Sequence, residues 1–169
     1  SSVTTTTNNT GTLSLEGSST VTGQVGASGA SLKEINAGVA GSTSTFNSNV
    51  YASNLNMTGT GTVILNSDLT GNVVTTGNNQ GILTTTGLNK TITGNIGSST
   101  SLDLNTLNIG SDTDATNYST TTINGNVFAN STVLNNNGTT NSSELILASG
   151  KNITSTITTA DANMGILTL

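Results

Sequence analysis

Ile92-Thr93-Gly94-Asn95-Ile96 is the stretch of sequence that decides the fold, because close copies of it return along the whole chain. The copies are Val21–Val25, Phe46–Val50, Leu69–Val73, Ile123–Val127 and Ile153–Ile157, and the second and last carry Ser in the Gly position. Successive copies start 25, 23, 23, 31 and 30 residues apart. A unit that returns every 20 to 50 residues is typical of solenoids, propellers and arrays. The sequence therefore predicts a repeat architecture.

Composition favours a repetitive β structure with a thin apolar core. Hydrophobic residues make up 31% of the 169 residues, below the roughly 45–50% apolar usage of ordinary domains. Charged residues make up only 7%, whereas disordered segments usually combine low hydrophobicity with high net charge. The regular spacing of Val, Ile and Leu within a Thr-, Ser-, Asn- and Gly-rich chain favours the repetitive β structure over a flexible low-complexity chain.

The charged and reactive residues exclude several classes of function. The net charge is −5, the only cations are Lys33, Lys90 and Lys151, and His and Cys are absent. A phosphate-binding surface for nucleic acid is excluded, as are Ser-His-Asp and Cys-His catalysis and metal sites built on imidazole or thiolate. No run approaches the roughly 18 apolar residues of a membrane span. We predict no enzymatic activity, no cofactor, no metal, no nucleic-acid partner and no membrane span in this segment.

The five positions of the motif have two structural interpretations. In a strand, positions one, three and five share one face, so two large apolar residues and a small one point inward, while the Thr, Asn or Gln at positions two and four point outward. Alternatively, Gly-Asn forms a corner, since both residues tolerate left-handed backbone angles. The strand is preferred because Thr and β-branched residues flank the pair. Either interpretation places positions one and five inside.

Two or three short strands per unit predict an all-β fold, a right-handed parallel β-helix (solenoid) of about six coils of 23–31 residues. Helix should be scarce, and polar residues of successive coils should stack as ladders of Asn. A propeller is the rival, but its blade of about 40–50 residues and its aromatic signatures are missing. The first residues of the six copies are expected to form one column, with their partners four residues on in a neighbouring column. Residues 1–10 are expected to be a polar loop or the end of a preceding coil, and 11–169 a solenoid segment of a longer chain.

Two polar insertions, 110–118 and 135–143, explain the two longest intervals between copies. Insertions in solenoids become loops on one face, often the binding face. The candidate contact residues are Asp112, Asp114, Asn117, Tyr118, Asn136, Asn137, Thr139 and Asn141. Asp112 and Asp114, with Asp103 nearby, have two interpretations. The first is a glycosidase carboxylate pair or a calcium site, and the second is a set of solvated acids in a turn. The second interpretation is preferred, because the Gly and the final Glu of a calcium loop are missing.

The recurring motif, together with Leu107–Gly110 and Ile123–Ala129, resembles the passenger domains of bacterial autotransporters. It is most similar to the rickettsial-type surface cell antigens of the outer membrane protein A/B group, over about residues 11–169. The resemblance implies a β-helical stalk on the extracellular side of the outer membrane, used for adhesion to host cells or as a surface layer. It transfers no binding residue, because no site motif of the family is matched.

The leading hypothesis is thus a non-enzymatic surface adhesin or surface-layer segment, whose partner would be a host-cell surface protein or glycan. A second hypothesis is a β-helical carbohydrate-active enzyme or carbohydrate-binding module of the tail-spike or pectate-lyase kind. A third is a structural fibre that self-associates through uncapped ends. Two acids in one groove would favour an enzyme, whereas acids dispersed around the circumference would favour the adhesin.

Overall fold

The computed structural model describes residues 1–111, 118–136, 141–162 and 164–169, and these residues form fifteen β-strands and no helix. The strands are β1 Thr12–Ser14, β2 Ser19–Val21, β3 Leu32–Ala37, β4 Thr43–Phe46, β5 Val50–Met57, β6 Thr62–Leu65, β7 Leu69–Thr75, β8 Gln80–Thr85, β9 Gly87–Ile92, β10 Leu104–Ile109, β11 Ser119–Ile123, β12 Val127–Leu134, β13 Glu144–Leu147, β14 Ile153–Thr159 and β15 Ile166–Thr168.

Each strand pairs in parallel with the strand two further along the chain. The odd-numbered strands form an eight-stranded sheet and the even-numbered strands a seven-stranded sheet. A chain that returns to the same two sheets in alternation coils around one axis, and it makes about six turns. The predicted all-β solenoid is confirmed.

The interior is one continuous apolar cluster. Positions one and five of the four middle copies, for example Ile92 and Ile96, are no more than 1% exposed. In the outermost copies Val21, Ile153 and Ile157 are only partly buried and pack against the same cluster. The prediction that positions one and five face the core is confirmed.

The prediction of one column of first positions is wrong. Phe46 pairs with Leu65 rather than with Leu69, while Leu69 lies between Val50 and Ile92. Leu65-Asn66-Ser67-Asp68-Leu69 is itself a copy of the motif, and it occupies the turn that follows Phe46–Val50. The third copy of the repeat therefore starts, at Leu69, in the place within the turn that the fifth residue of the first two copies occupies.

Three columns of stacked residues contain the first positions of the six motif copies. Column A contains Val21, Phe46, Leu65, Thr85, Ile109, Leu134 and Thr159. Column B contains Val3, Val25, Val50, Leu69, Ile92, Ile123 and Leu147. Column C contains Leu13, Ile35, Leu55, Val73, Ile96, Val127 and Ile153.

The Gly-Asn pair is a corner in four of the six copies, so the preferred strand interpretation is wrong there; only Leu69–Thr75 and Ile153–Thr159 are strands. Glycine is needed where successive corners stack closely. A Cβ on Gly94 would lie 2.4 Å from the carbonyl oxygen of Gly71, and one on Gly125 would lie 2.3 Å from that of Gly94. Neither contact is compatible with the present spacing of the turns.

The asparagine at motif position four connects successive turns from Asn72 to Asn152. Asn72 Oδ1 accepts the backbone N–H of Asn95 at 2.9 Å. Asn95 Oδ1 accepts that of Asn126 at 2.8 Å, and Asn126 Oδ1 accepts that of Asn152 at 3.0 Å. The expected asparagine ladder is therefore present, and it satisfies backbone donors that a corner leaves without a strand partner.

A search of the described residues for a helix of sufficient length and apolarity to span a bilayer finds none.

Candidate functional site

Both polar insertions begin and end at one corner of the solenoid. Between column A and column B the chain uses three residues after Phe46 and three after Leu65, but thirteen after Ile109 and twelve after Leu134. Ile109 pairs with Leu134, so both insertions leave the core at the same place. Ile123 pairs with Leu147, so both insertions also rejoin the core at the same place. We call this place, with the flanking residues 110–122 and 135–146, the insertion corner.

The bases of the two insertions are bonded to each other. Asn135 donates its backbone N–H to Ile109 O at 2.9 Å and its side-chain Nδ2 to Gly110 O at 3.0 Å. On the returning side, the backbone N–H of Ser119 donates to Ser143 Oγ at 2.9 Å, and both serines are fully buried. The two insertions therefore share one rigid base.

The second insertion is closed at its neck. Asn136 and Ser142 form an antiparallel bridge, and Ser143 N donates to Asn135 O at 3.1 Å. Asn136 is only 4% exposed, and its Nδ2 donates to Asp161 Oδ2 at 2.9 Å. Asn136, expected as a contact residue, is thus a structural residue of the neck.

Tyr118 and Asn141 are the candidate contact residues that the structure places at the surface. Both are partly exposed, and they lie beside the returning side of each insertion. The remaining candidates lie outside the described residues, and their role stays a prediction: Asp112, Asp114, Asn117, Asn137 and Thr139.

Several carboxylates hold neighbouring turns together. Asp68 Oδ1 accepts the backbone N–H of Thr91 at 2.9 Å, and Asp103 Oδ1 accepts that of Asn79 at 2.7 Å. Asp103, considered above as a possible partner of the acids in the first insertion, therefore has a structural role. Among the described residues no three His, Cys, Asp or Glu side chains come close enough to hold a metal ion.

Three neighbouring surface grooves were not foreseen from the sequence. One lies around Ala52 and Ser53, with a volume of about 390 Å³, and another around Ala129 and Asn130, with about 330 Å³. The third lies between them, because it shares Asn72 with the first and Phe128 with the second. Hydroxyl and amide side chains predominate, and Asp103 is the one charged residue among the described residues that line these three grooves.

Comparison of the chain with models of known protein families, with curated proteins and with solved structures gives no significant match.

Proposed function

We propose that this chain is a non-enzymatic segment of an exported bacterial cell-surface protein, an adhesin or surface-layer component of the autotransporter type. The solenoid acts as a rigid stalk on the extracellular side of the outer membrane. The insertion corner makes contact with a protein or glycan on a host cell.

The observation that carries this proposal is the stacking of the two insertions in successive turns. Strands of neighbouring turns lie about 4.8 Å apart, so the bases of the two insertions lie side by side on one corner. The loops are tied at their bases by the bonds of Asn135 and Ser119. Polar loops on a rigid scaffold are where binding residues of solenoids concentrate.

Rigidity of the stalk follows from the contacts between turns. Every turn is joined to the next by two parallel strand pairs and, from Asn72 to Asn152, by the asparagine ladder. A repeat protein in which each unit is bonded along its whole length to its neighbours resists bending and holds its loops at a fixed height.

The enzymatic alternative needs two carboxylates across one groove. Among the described residues, a single carboxylate, that of Asp103, lines one of the three grooves, and none lines the other two. The Asp103 carboxylate accepts a backbone hydrogen bond. This arrangement favours a binding function over hydrolysis.

A bead-attachment assay with trimmed insertions tests the proposal. In the trimmed variant, residues 137–141 are replaced by Asn-Gly, a two-residue turn suited to the antiparallel bridge of Asn136 and Ser142. Residues 112–117 are replaced by Gly-Ser-Gly. Beads coated with this variant should attach to cultured animal cells about tenfold less than beads with the natural chain, equivalent to about 1.4 kcal/mol.

The matched control keeps both insertions at their natural length but replaces 112–117 and 137–140 by Gly and Ser. It should lose attachment as the trimmed variant does, because five of the candidate contact side chains are gone, those of Asp112, Asp114, Asn117, Asn137 and Thr139. Both variants should unfold at the temperature of the natural chain. Attachment of the trimmed variant at the natural level would refute the role of the insertion corner.

A further inference from the structure

Residues 21–57 and 92–134 are two copies of one larger structural unit. Val21–Gly26 corresponds to Ile92–Gly97, and Val50-Tyr51-Ala52-Ser53 corresponds to Val127-Phe128-Ala129-Asn130. Between these parts, each copy contains a tight outward turn closed by an antiparallel bridge, Ala27 with Ala30 in the first and Ser99 with Leu102 in the second. The unit is thus duplicated in structure as well as in sequence.

The aromatic residue of each copy has the same setting. Gly26 and Gly97 have φ angles of 66° and 67°. A Cβ on Gly26 would lie 2.3 Å from the carbonyl oxygen of Tyr51, and one on Gly97 would lie 2.4 Å from that of Phe128. Each aromatic residue therefore packs directly over a glycine of the preceding turn, and both are partly exposed.

A β-bulge follows each aromatic residue and forms a groove. Residues 52–53 together lie opposite the single residue Gly71, and residues 129–130 together lie opposite the single residue Ser155. A bulge bends its strand and changes the direction of its side chains, and bulges are common beside binding sites. These two bulges line the first two grooves described above, one groove each.

The two bulge grooves are linked along the surface. Val25 of the first copy belongs to column B, whereas Ile96 of the second belongs to column C. The second copy therefore lies three turns further along the axis and one core position further around it. The third groove, which shares Asn72 with the first bulge groove and Phe128 with the second, connects them diagonally.

The chemistry of the lining favours one class of ligand. The side chains are mainly Ser and Thr hydroxyls and Asn amides, which both donate and accept hydrogen bonds. The described residues that line the grooves include no lysine, so this part of the surface lacks cations that would attract anionic polymers. An apolar peptide would leave these polar groups without partners. Sugar hydroxyls satisfy them, and the ring of Phe128 offers a flat apolar surface for one face of a sugar.

We propose that the two bulge grooves are two copies of one binding site for an uncharged oligosaccharide, and that a long glycan chain occupies both through the connecting groove. A ligand that reaches both sites gains affinity over one that reaches a single site, without any new type of contact. This site is separate from the insertion corner, so it goes beyond the function proposed above.

A printed glycan array that carries uncharged and acidic oligosaccharides tests the inference with the purified 169-residue chain. Uncharged glycans should bind, and longer ones should bind more tightly. Phe128→Ala should weaken binding of the best uncharged glycan about tenfold, as expected for an aromatic contact residue. The double variant Thr70→Ala and Phe128→Ala changes the lining of both bulge grooves and should weaken it further. Phe128→Leu keeps apolar volume over Gly97 and should lose binding while its thermal unfolding remains natural.

Leu88→Ala is the matched control, because it removes an exposed apolar side chain that lies outside the insertion corner and lines none of the three grooves, and it should leave glycan binding unchanged. The inference is overturned if no uncharged glycan binds, if only acidic glycans bind, or if Phe128→Ala binds as the natural chain does. Each of these results leaves the bead-attachment assay of the insertion corner unaffected, so the two proposals fail separately.

Discussion

Replacement of Gly94 by Ala is the most direct test of how closely the turns are stacked. The new Cβ would lie 2.4 Å from the carbonyl oxygen of Gly71 and 2.5 Å from Asn72 Oδ1. Ordinary contacts of a Cβ begin at 3.4 Å, so the two turns must separate locally. The same movement displaces Asn72 Oδ1, which accepts the backbone N–H of Asn95 at 2.9 Å.

Two terms set the size of the effect. Overpacking against a rigid neighbour costs about 1–3 kcal/mol, and loss of one hydrogen bond costs about 1 kcal/mol. The expected decrease in the free energy of unfolding is therefore about 2–4 kcal/mol. For a chain of this size, each kcal/mol lowers the unfolding midpoint by about 2–4 °C.

Thermal unfolding followed by circular dichroism measures this decrease. Gly17→Ala is the matched control, because a Cβ on Gly17 meets no atom within 4 Å. That control should unfold within about 1 °C of the natural chain, as expected for a surface substitution of small effect. If Gly94→Ala also unfolds at the natural temperature, the close stacking of Gly94 on Gly71 is not present in solution.

Three further predictions concern hydrogen bonds and the last turn. Thr75→Val should stabilise the chain by about 1 kcal/mol in urea unfolding, because Thr75 Oγ1 is buried without a hydrogen-bond partner. Thr85→Val is the contrasting variant and should destabilise the chain, because Thr85 Oγ1 forms a hydrogen bond with the hydroxyl of Thr121 at 2.8 Å. Asn95→Ala should lower the free energy of unfolding by about 1–2 kcal/mol, because the next ladder residue loses its acceptor, whereas the exposed Asn124→Ala should have little effect. Leu167, 38% exposed in the last strand, should promote association of the purified chain, and Leu167→Lys should reduce the apparent mass in sedimentation velocity.

The sequence predicted the solenoid because the apolar positions of its motif are also the core positions. Ile92 and Ile96 are both buried, and the spacing between motif copies reflects the length of a turn. It did not predict the register. Positions one and five are both Val, Ile, Leu or Phe, so a shift by four residues leaves the same kinds of side chain inside. The copy Leu65–Leu69 was the available signal for this shift, since Asn66-Ser67 repeats Asn47-Ser48.

The candidate site was predicted in part. Interval lengths located the two insertions, but only the pairing of Ile109 with Leu134 shows that they share a corner. Asn136 was expected to be a contact residue because its neighbours in the sequence are polar, but it is buried and bonds Asp161, which comes from the next turn. A contact between turns has no local signature in the sequence.

The same interchangeability of core positions explains how the grooves come to lie diagonally. The motif connects column A to column B in Val21–Val25, and column B to column C in Ile92–Ile96. Both connections join two apolar residues that have three residues between them. The chain can therefore move its corner one position around the axis without exposing its core. The duplicated unit moves with its corner, so its second bulge lies one core position around from its first. A straight repeat would have stacked the two bulges on one line, whereas the shifted one joins them across Asn72 and Phe128 into a path for one extended ligand.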